Sequence, residues 1–109
     1  MEGFVKGSNV VVSFPFSDLS ASKRRPALVL ANAENGDYLL CQITSKSIKD
    51  KWAIALPEDQ IIEGPLFKES NILANRILTA DQRIILYKAG FVDPTFRRKV
   101  VEQIIQLIS

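Results

Sequence analysis

Apolar positions fall into short runs, broken repeatedly by Gly, Pro, Asn, Asp and Ser. Residues 9–14 are rich in β-branched side chains and run up to Pro15, which cannot donate to a ladder; this predicts a first strand. Residues 26–31 are apolar without alternation, the pattern of a strand buried on both faces. Asn35, Gly36 and Asp37 supply turn chemistry, and residues 38–44 read as a third strand that pairs with the second as a hairpin. Residues 52–56 alternate weakly and stop at Pro57, predicting a fourth strand, while residues 58–69 are irregular and acidic, with Gly64-Pro65 as a breaker. Residues 70–78 read as a fifth strand and residues 81–84 as a short helical turn. Residues 86–92, in spite of Gly90, read as a further strand.

The last segment changes period. Phe96, Val100, Ile104 and Ile108 recur every four residues, and Val101, Ile105 and Leu107 widen the stripe. Asp93 is placed to cap this helix and Pro94 suits its first turn. Arg98, Lys99, Glu102 and Gln106 fall on the opposite side, so the run Arg97-Arg98-Lys99 reads as a solvated helix face. Many short strands followed by one amphipathic helix predict a mainly-β (α+β) fold, a small β-barrel closed by a helical lid.

Composition narrows the function classes. The chain has 109 residues, enough for one domain with a real core, and its 47% hydrophobic and 24% charged content is ordinary for a globular protein. No apolar run approaches the roughly 20 residues of a membrane span. Met1-Glu2-Gly3-Phe4 does not start a signal peptide, so a cytoplasmic protein without membrane contact is expected. With no histidine, imidazole acid–base pairs, Ser-His-Asp triads and His-ligated metals are excluded. With one cysteine, an intrachain disulfide and a Cys-rich zinc site are excluded too. No cofactor or metal is expected, and any catalysis falls to Arg, Lys, Asp, Glu, Ser, Thr or Tyr.

The net charge of +2 permits nucleic-acid binding without arguing for it. Clustering says more. Lys23, Arg24 and Arg25 stand directly against Pro26, and Lys46, Lys49 and Lys51 form a second group. The first cluster reads as a basic loop tip at the mouth of the second strand, ending a connection of about ten residues, longer than most. Pro26 suits a strand's first position and biases Arg25 toward an extended backbone. Hairpin pairing sets the start of the second strand beside the end of the third, so Arg25 converges with Thr44 and Ser45. A guanidinium and two hydroxyls then come within reach of one phosphate. Taken singly, each has a plainer reading: charge runs are usually solvated, and hydroxyl pairs often end strands. Trp52 and Tyr38 read as core or dimer packing before base stacking, and Cys41 as an inert core residue.

Several segments together resemble the MazF/PemK-like (Kid-like) toxins of bacterial toxin–antitoxin systems. Residues 7–16, ending in Phe-Pro-Phe, look like that family's opening strand; Arg25-Pro26-Ala27-Leu28-Val29 resembles its Arg-Pro-x-Leu-Val signature. Ile43-Thr44-Ser45 resembles its Ile-Thr-Ser segment, and residues 70–81 its later strand with a Thr-x-Asp ending. The resemblance implies an SH3-like barrel, a homodimer, inhibition by a cognate antitoxin protein, and metal-independent, sequence-selective cleavage of single-stranded RNA. In such cleavage the 2′-hydroxyl attacks the adjacent phosphate and leaves 2′,3′-cyclic phosphate and 5′-hydroxyl ends. It also implies Arg25 and Thr44 as the catalytic pair; beside it, the charge, hydroxyl and amide groups of Lys23, Arg24, Ser45, Lys46, Asn75 and Arg76 make these the candidate substrate-binding residues, with a solvated surface as the plainer reading of the cations.

Three positions depart from the family pattern. Asn75 stands where some relatives carry an acid; it can read a base edge but cannot take a proton. Ser8 and Ser13 replace frequent aspartates. Arg25 suits the role of acid for the 5′-oxygen but not that of base, because a guanidinium is almost never unprotonated. Two other readings stand beside the ribonuclease: a non-hydrolytic, CcdB-like gyrase poison, and an RNA-binding barrel with weakened catalysis.

Overall fold

The structure is a computed structural model that describes residues 3–15, 22–44, 51–56 and 70–109; the side chains of residues 14, 15, 22 and 23 lie outside the description. Six strands and one helix make up the described fold: β1 (Ser8–Pro15), β2 (Ser22–Glu34), β3 (Asp37–Thr44), β4 (Ala53–Leu56), β5 (Ser70–Asp81), β6 (Ile85–Phe91) and α1 (Pro94–Ile108). The strands form one antiparallel sheet in the order β4-β5-β3-β2-β1-β6. The mainly-β fold with a C-terminal helix follows the sequence pattern.

The unbroken apolar run of β2 is buried on both faces, as its lack of alternation requires. Ala27 and Val29 enter one core cluster and Leu28 the other. The first cluster also takes Val10, Val12, Tyr38, Leu40, Ala80 and Ile85, drawn from the other strands with no helix residue among its buried members. A sheet can surround such a cluster only by curling over it. The second cluster joins Leu28, Cys41, Ile43 and Ile72 to Val92, Phe96 and Val100, so the helix covers the outer face.

β5 serves both clusters, with Ile72 in one and Ala80 in the other. It changes face at an irregularity: β3 advances from Cys41 to Ile43 while its β5 partners jump from Ile77 to Ile72. Residues 73–76 lie between these partners as a bulge, the device found where a sheet bends sharply, with Leu73 and Ala74 buried and Asn75 and Arg76 exposed. Backbone groups released there find other partners. The Leu73 carbonyl accepts from the Cys41 thiol at 3.0 Å, and the Ala74 N–H donates to the Trp52 carbonyl at 3.0 Å.

Burial pushes the Cys41 thiol up from its ordinary 9.0 to about 12. The folded state therefore keeps a proton that the unfolded chain loses above pH 9.0. This contribution to stability is intact below that pH and is lost as pH rises toward about 12. A thiol-reactive aromatic disulfide at about pH 8 is expected to leave the native protein unmodified and to titrate one thiol after denaturation. Rapid labelling of the native protein would contradict this burial.

The hairpin turn between β2 and β3 places Glu34, Asn35 and Gly36 at positive φ. The short helical turn spans Gln82–Ile84 and is capped by Asp81. The Asp81 carboxylate accepts from the Arg83 N–H at 2.8 Å and from its guanidinium at 3.0 and 3.1 Å. These bonds hold its carboxyl below the usual carboxylate range. At α1, the Asp93 side chain accepts from the Thr95 N–H at 2.8 Å and Pro94 opens the first turn, as expected. The apolar stripe is used unevenly: Phe96 and Val100 are buried, whereas Val101, Ile105 and Ile108 remain exposed.

Strand boundaries correct one expectation that bears on the site. Lys23, Arg24 and Arg25 are not a loop tip. They belong to β2, which pairs with β1 from Pro15↔Ser22 onward, Ser13 facing Arg24 and Val12 facing Arg25. Their charge suggested a loop, but β1 offers a continuous partner whose ladder outweighs local polarity. Nor does Pro26 open the strand. It sits within β2 opposite Val11, and the ladder to β3 begins one residue later, at Ala27↔Gln42, as a residue without an N–H requires. The remaining stretch of the expected loop, residues 16–21, lies outside the described residues.

Candidate functional site

A cleft of about 310 Å³ opens where β2 and β3 end their pairing. β2 contributes Arg24, Arg25 and Pro26; β3 contributes Ile43 and Thr44. Continuing the Ala27↔Gln42 register by two residues sets Arg25 opposite Thr44. Directly opposed residues share a face of the sheet, with Cβ atoms about 5 Å apart. Arg25 and Thr44 line one cavity, and this extension of the ladder beyond its last pair accounts for their meeting there.

Arg24 is exposed and Arg25 half-buried. Neither guanidinium is held in an ion pair with a described carboxylate. Two adjacent cations without a carboxylate partner among the described residues make a site that attracts anions, and each guanidinium presents a planar fork matched to phosphate oxygens. Thr44 is 9% exposed and Ser70, at the start of β5, is 8% exposed. Both carry a hydroxyl and line the side of the cleft away from β1. The remaining lining comes from Val11 of β1 and Tyr87 of β6.

Asn75 and Arg76 occupy the β5 bulge, exposed, and do not line this cleft. Lys23 is placed in β2 by its backbone, with its side chain outside the description; Ser45 and Lys46 lie outside the described residues. Tyr38 is a core residue. It is 3% exposed, stacks edge-on against Phe4 at 5.6 Å, and its hydroxyl accepts from the Phe4 N–H at 3.0 Å. Trp52 is half-buried under the Lys51 ammonium, 4.8 Å from its ring.

Sequence reasoning did not find Tyr87 or Ser70. Tyr87 reaches the cleft through pairing of β6 with β1, across most of the chain. Ser70 opens β5 opposite Leu56 and follows a segment with no periodic signal. Neither position carries a local motif.

Residues 7–108 match the family model of the PemK-like, MazF-like toxins of type II toxin–antitoxin systems. The chain belongs to this family. Solved MazF-type structures share its fold. A MazE–MazF complex from Deinococcus radiodurans superposes with a TM-score of 0.80 at 21% identity, covering 99% of this chain and 97% of the other. An endoribonuclease in complex with its cognate antitoxin, from a mycobacterial species, gives 0.74 at 15% identity, covering 95% and 93%. The Mycobacterium tuberculosis toxin MazF-mt6 gives 0.66 at 13% identity, covering 89% and 93%. Among curated proteins no sequence matches. This PemK/MazF-like chain thus keeps the family fold at low identity, and among its described residues no helix is long and apolar enough to cross a membrane.

Proposed function

We propose that this toxin is an endoribonuclease that cuts single-stranded RNA without a metal and is restrained by a cognate antitoxin protein. The observation that supports the reading is that Arg25 and Thr44 line one cleft, with no described carboxylate neutralising the guanidinium. Such a site suits a reaction whose negative charge grows on phosphate oxygens.

The 2′-hydroxyl oxygen forms a bond to the adjacent phosphorus as its proton passes to water, and the bond from phosphorus to the 5′-oxygen breaks. The products are a 2′,3′-cyclic phosphate and a 5′-hydroxyl. Donors fixed in advance at the phosphorane oxygens lower this barrier because they need no reorganisation as charge develops. In this reading Arg25 supplies two parallel hydrogen bonds and a full charge, gives a proton to the departing 5′-oxygen and regains one from solvent. Thr44 adds a neutral donor from the neighbouring strand. Arg24 holds a flanking phosphate, and Lys23, Ser45 and Lys46 extend the binding track along the backbone, with Asn75 and Arg76 further out on the bulge.

Family membership and mycobacterial and Deinococcus relatives solved with antitoxins support an antitoxin partner. A homodimer acting in the cytoplasm completes the reading. Purified protein incubated with long RNA in excess EDTA is expected to yield fragments with cyclic-phosphate and 5′-hydroxyl ends. Stable RNA binding without cutting would favour the weakened RNA-binding barrel, and intact RNA with stalled gyrase the CcdB-like poison.

A further inference from the structure

Tyr87 has no role in the chemistry above, yet it stands in the same cleft. β1 pairs with β6 on one side and β2 on the other, and Val11 is opposite both Tyr87 and Pro26. Directly paired residues put their side chains on one face. Val10 and Val12 enter the buried cluster beneath the sheet, so Tyr87, Val11 and Pro26 form a row on the other face, while Arg25, opposite Val12, lines the same cleft from the Val12 side. Val11, in the middle, is only 6% exposed, whereas Tyr87 is 49% exposed. A tyrosine serving the core would be covered, as Tyr38 is at 3%.

The cleft is therefore graded. At the β6 side it offers an aromatic ring with a proline and a valine beside it. In the middle it offers two guanidinium groups, and at the far side the hydroxyls of Thr44 and Ser70. A nucleotide has the same gradation, a flat apolar base joined through a sugar to an anionic phosphate. Grooves for single strands combine these two features, cations for the backbone and aromatic faces for bases.

We propose that Tyr87 is the base-stacking residue of this cleft, taking the face of a nucleobase beside the phosphate that Arg25 and Thr44 hold and so setting part of the sequence preference. This rests on the ribonuclease reading of the same site. Stacking needs the flat ring and not the phenol hydroxyl, and it discriminates among bases by ring size and stacking strength.

Binding and cutting are measured separately. Fluorescence anisotropy with labelled 2′-O-methyl oligonucleotides, which lack the attacking hydroxyl, reads binding alone; cleavage mapping on long RNA reads the reaction. Tyr87→Phe should bind within about twofold of the native protein. Tyr87→Ala and the bulk-retaining Tyr87→Leu should weaken binding about 10- to 100-fold, the worth of one stacked base. Both should shift the cleavage profile while keeping the native melting temperature within a few degrees. An abasic nucleotide at the stacked position should remove the difference between native protein and Tyr87→Ala, which a purely structural role would not do.

Equal binding by Tyr87→Ala, a penalty that persists at every abasic position, or an equal loss in Tyr87→Phe overturns the assignment. So does a loss confined to antitoxin binding, which would make Tyr87 a contact for a protein segment. If native protein binds the oligonucleotides but never cuts long RNA, the ribonuclease reading fails and the stacking result stands by itself. If it does neither, both fail.

Discussion

Replacing Arg25 by alanine is expected to lower kcat/KM for RNA cleavage by about three to four orders of magnitude while leaving the melting temperature nearly unchanged. The size follows from the two roles proposed for one side chain. Loss of a preorganised donor at a developing oxyanion costs about 10²- to 10³-fold in rate. Loss of a general acid costs about 10²- to 10⁴-fold, and the two effects overlap because they belong to one group. The fold should tolerate the change, since Arg25 forms no ion pair with a described carboxylate and its neighbour in the ladder, Val12, contributes through backbone pairing. Arg25→Lys keeps the charge and loses the planar fork, so it should recover only part of the rate. Initial rates on an end-labelled RNA, with a thermal melt of each variant, decide the matter. Arg25→Ala activity within about tenfold of the native protein would remove the guanidinium from the reaction.

The second large effect concerns stability. Phe96→Ala is expected to cost about 3–5 kcal/mol, the usual result of deleting a buried aromatic side chain. For a chain of this size that lowers Tm by roughly 10–25 °C. Phe96 and Val100 are the only buried residues of α1, so little else on the helix can take up the loss. They seat it on Leu28, Cys41, Ile43 and Ile72, residues of the strands that carry Arg25 and Thr44 toward the cleft. Thermal or urea denaturation measures the cost directly. A stabilised or unchanged variant would mean that the helix contributes little to holding the second cluster. Substitution of Ile108, exposed at 74%, should be nearly silent in the same assay and serves as the internal comparison.

The two predictions probe different parts of the molecule, and the sequence disclosed them to different depths. The helix was legible because its information is local: the cap at Asp93, the proline at Pro94 and the four-residue spacing lie within a few turns of one another. The burial of β2 on both faces was legible for the same reason, as an apolar run without alternation. The width of the stripe was not. Val101 and Ile105 have the spacing of core residues but are exposed, because the surface the helix rests on is narrower than the stripe.

That Arg25 and Thr44 come near each other was readable, since a hairpin sets the start of one strand beside the end of the next; the register was not, because irregularities between Val29 and Ala31 and between Asn32 and Glu34 shift it by two residues from the turn. The assignment of the basic residues was less accurate. Local composition placed Lys23, Arg24 and Arg25 in a loop, while pairing with β1 draws them into β2.

Sequence alone determined the order of the elements, the hairpin and the nearness of a guanidinium to a hydroxyl at its mouth, because each depends on residues close in the chain or joined by one turn. Only the tertiary structure decided that Tyr87 and Ser70 complete the cleft and that Asn75 and Arg76 stand apart from it on a bulge. Those placements depend on β6 pairing with β1 and on the slip between β3 and β5. Pairings between distant segments are chosen by how whole faces pack, and no local pattern records that choice.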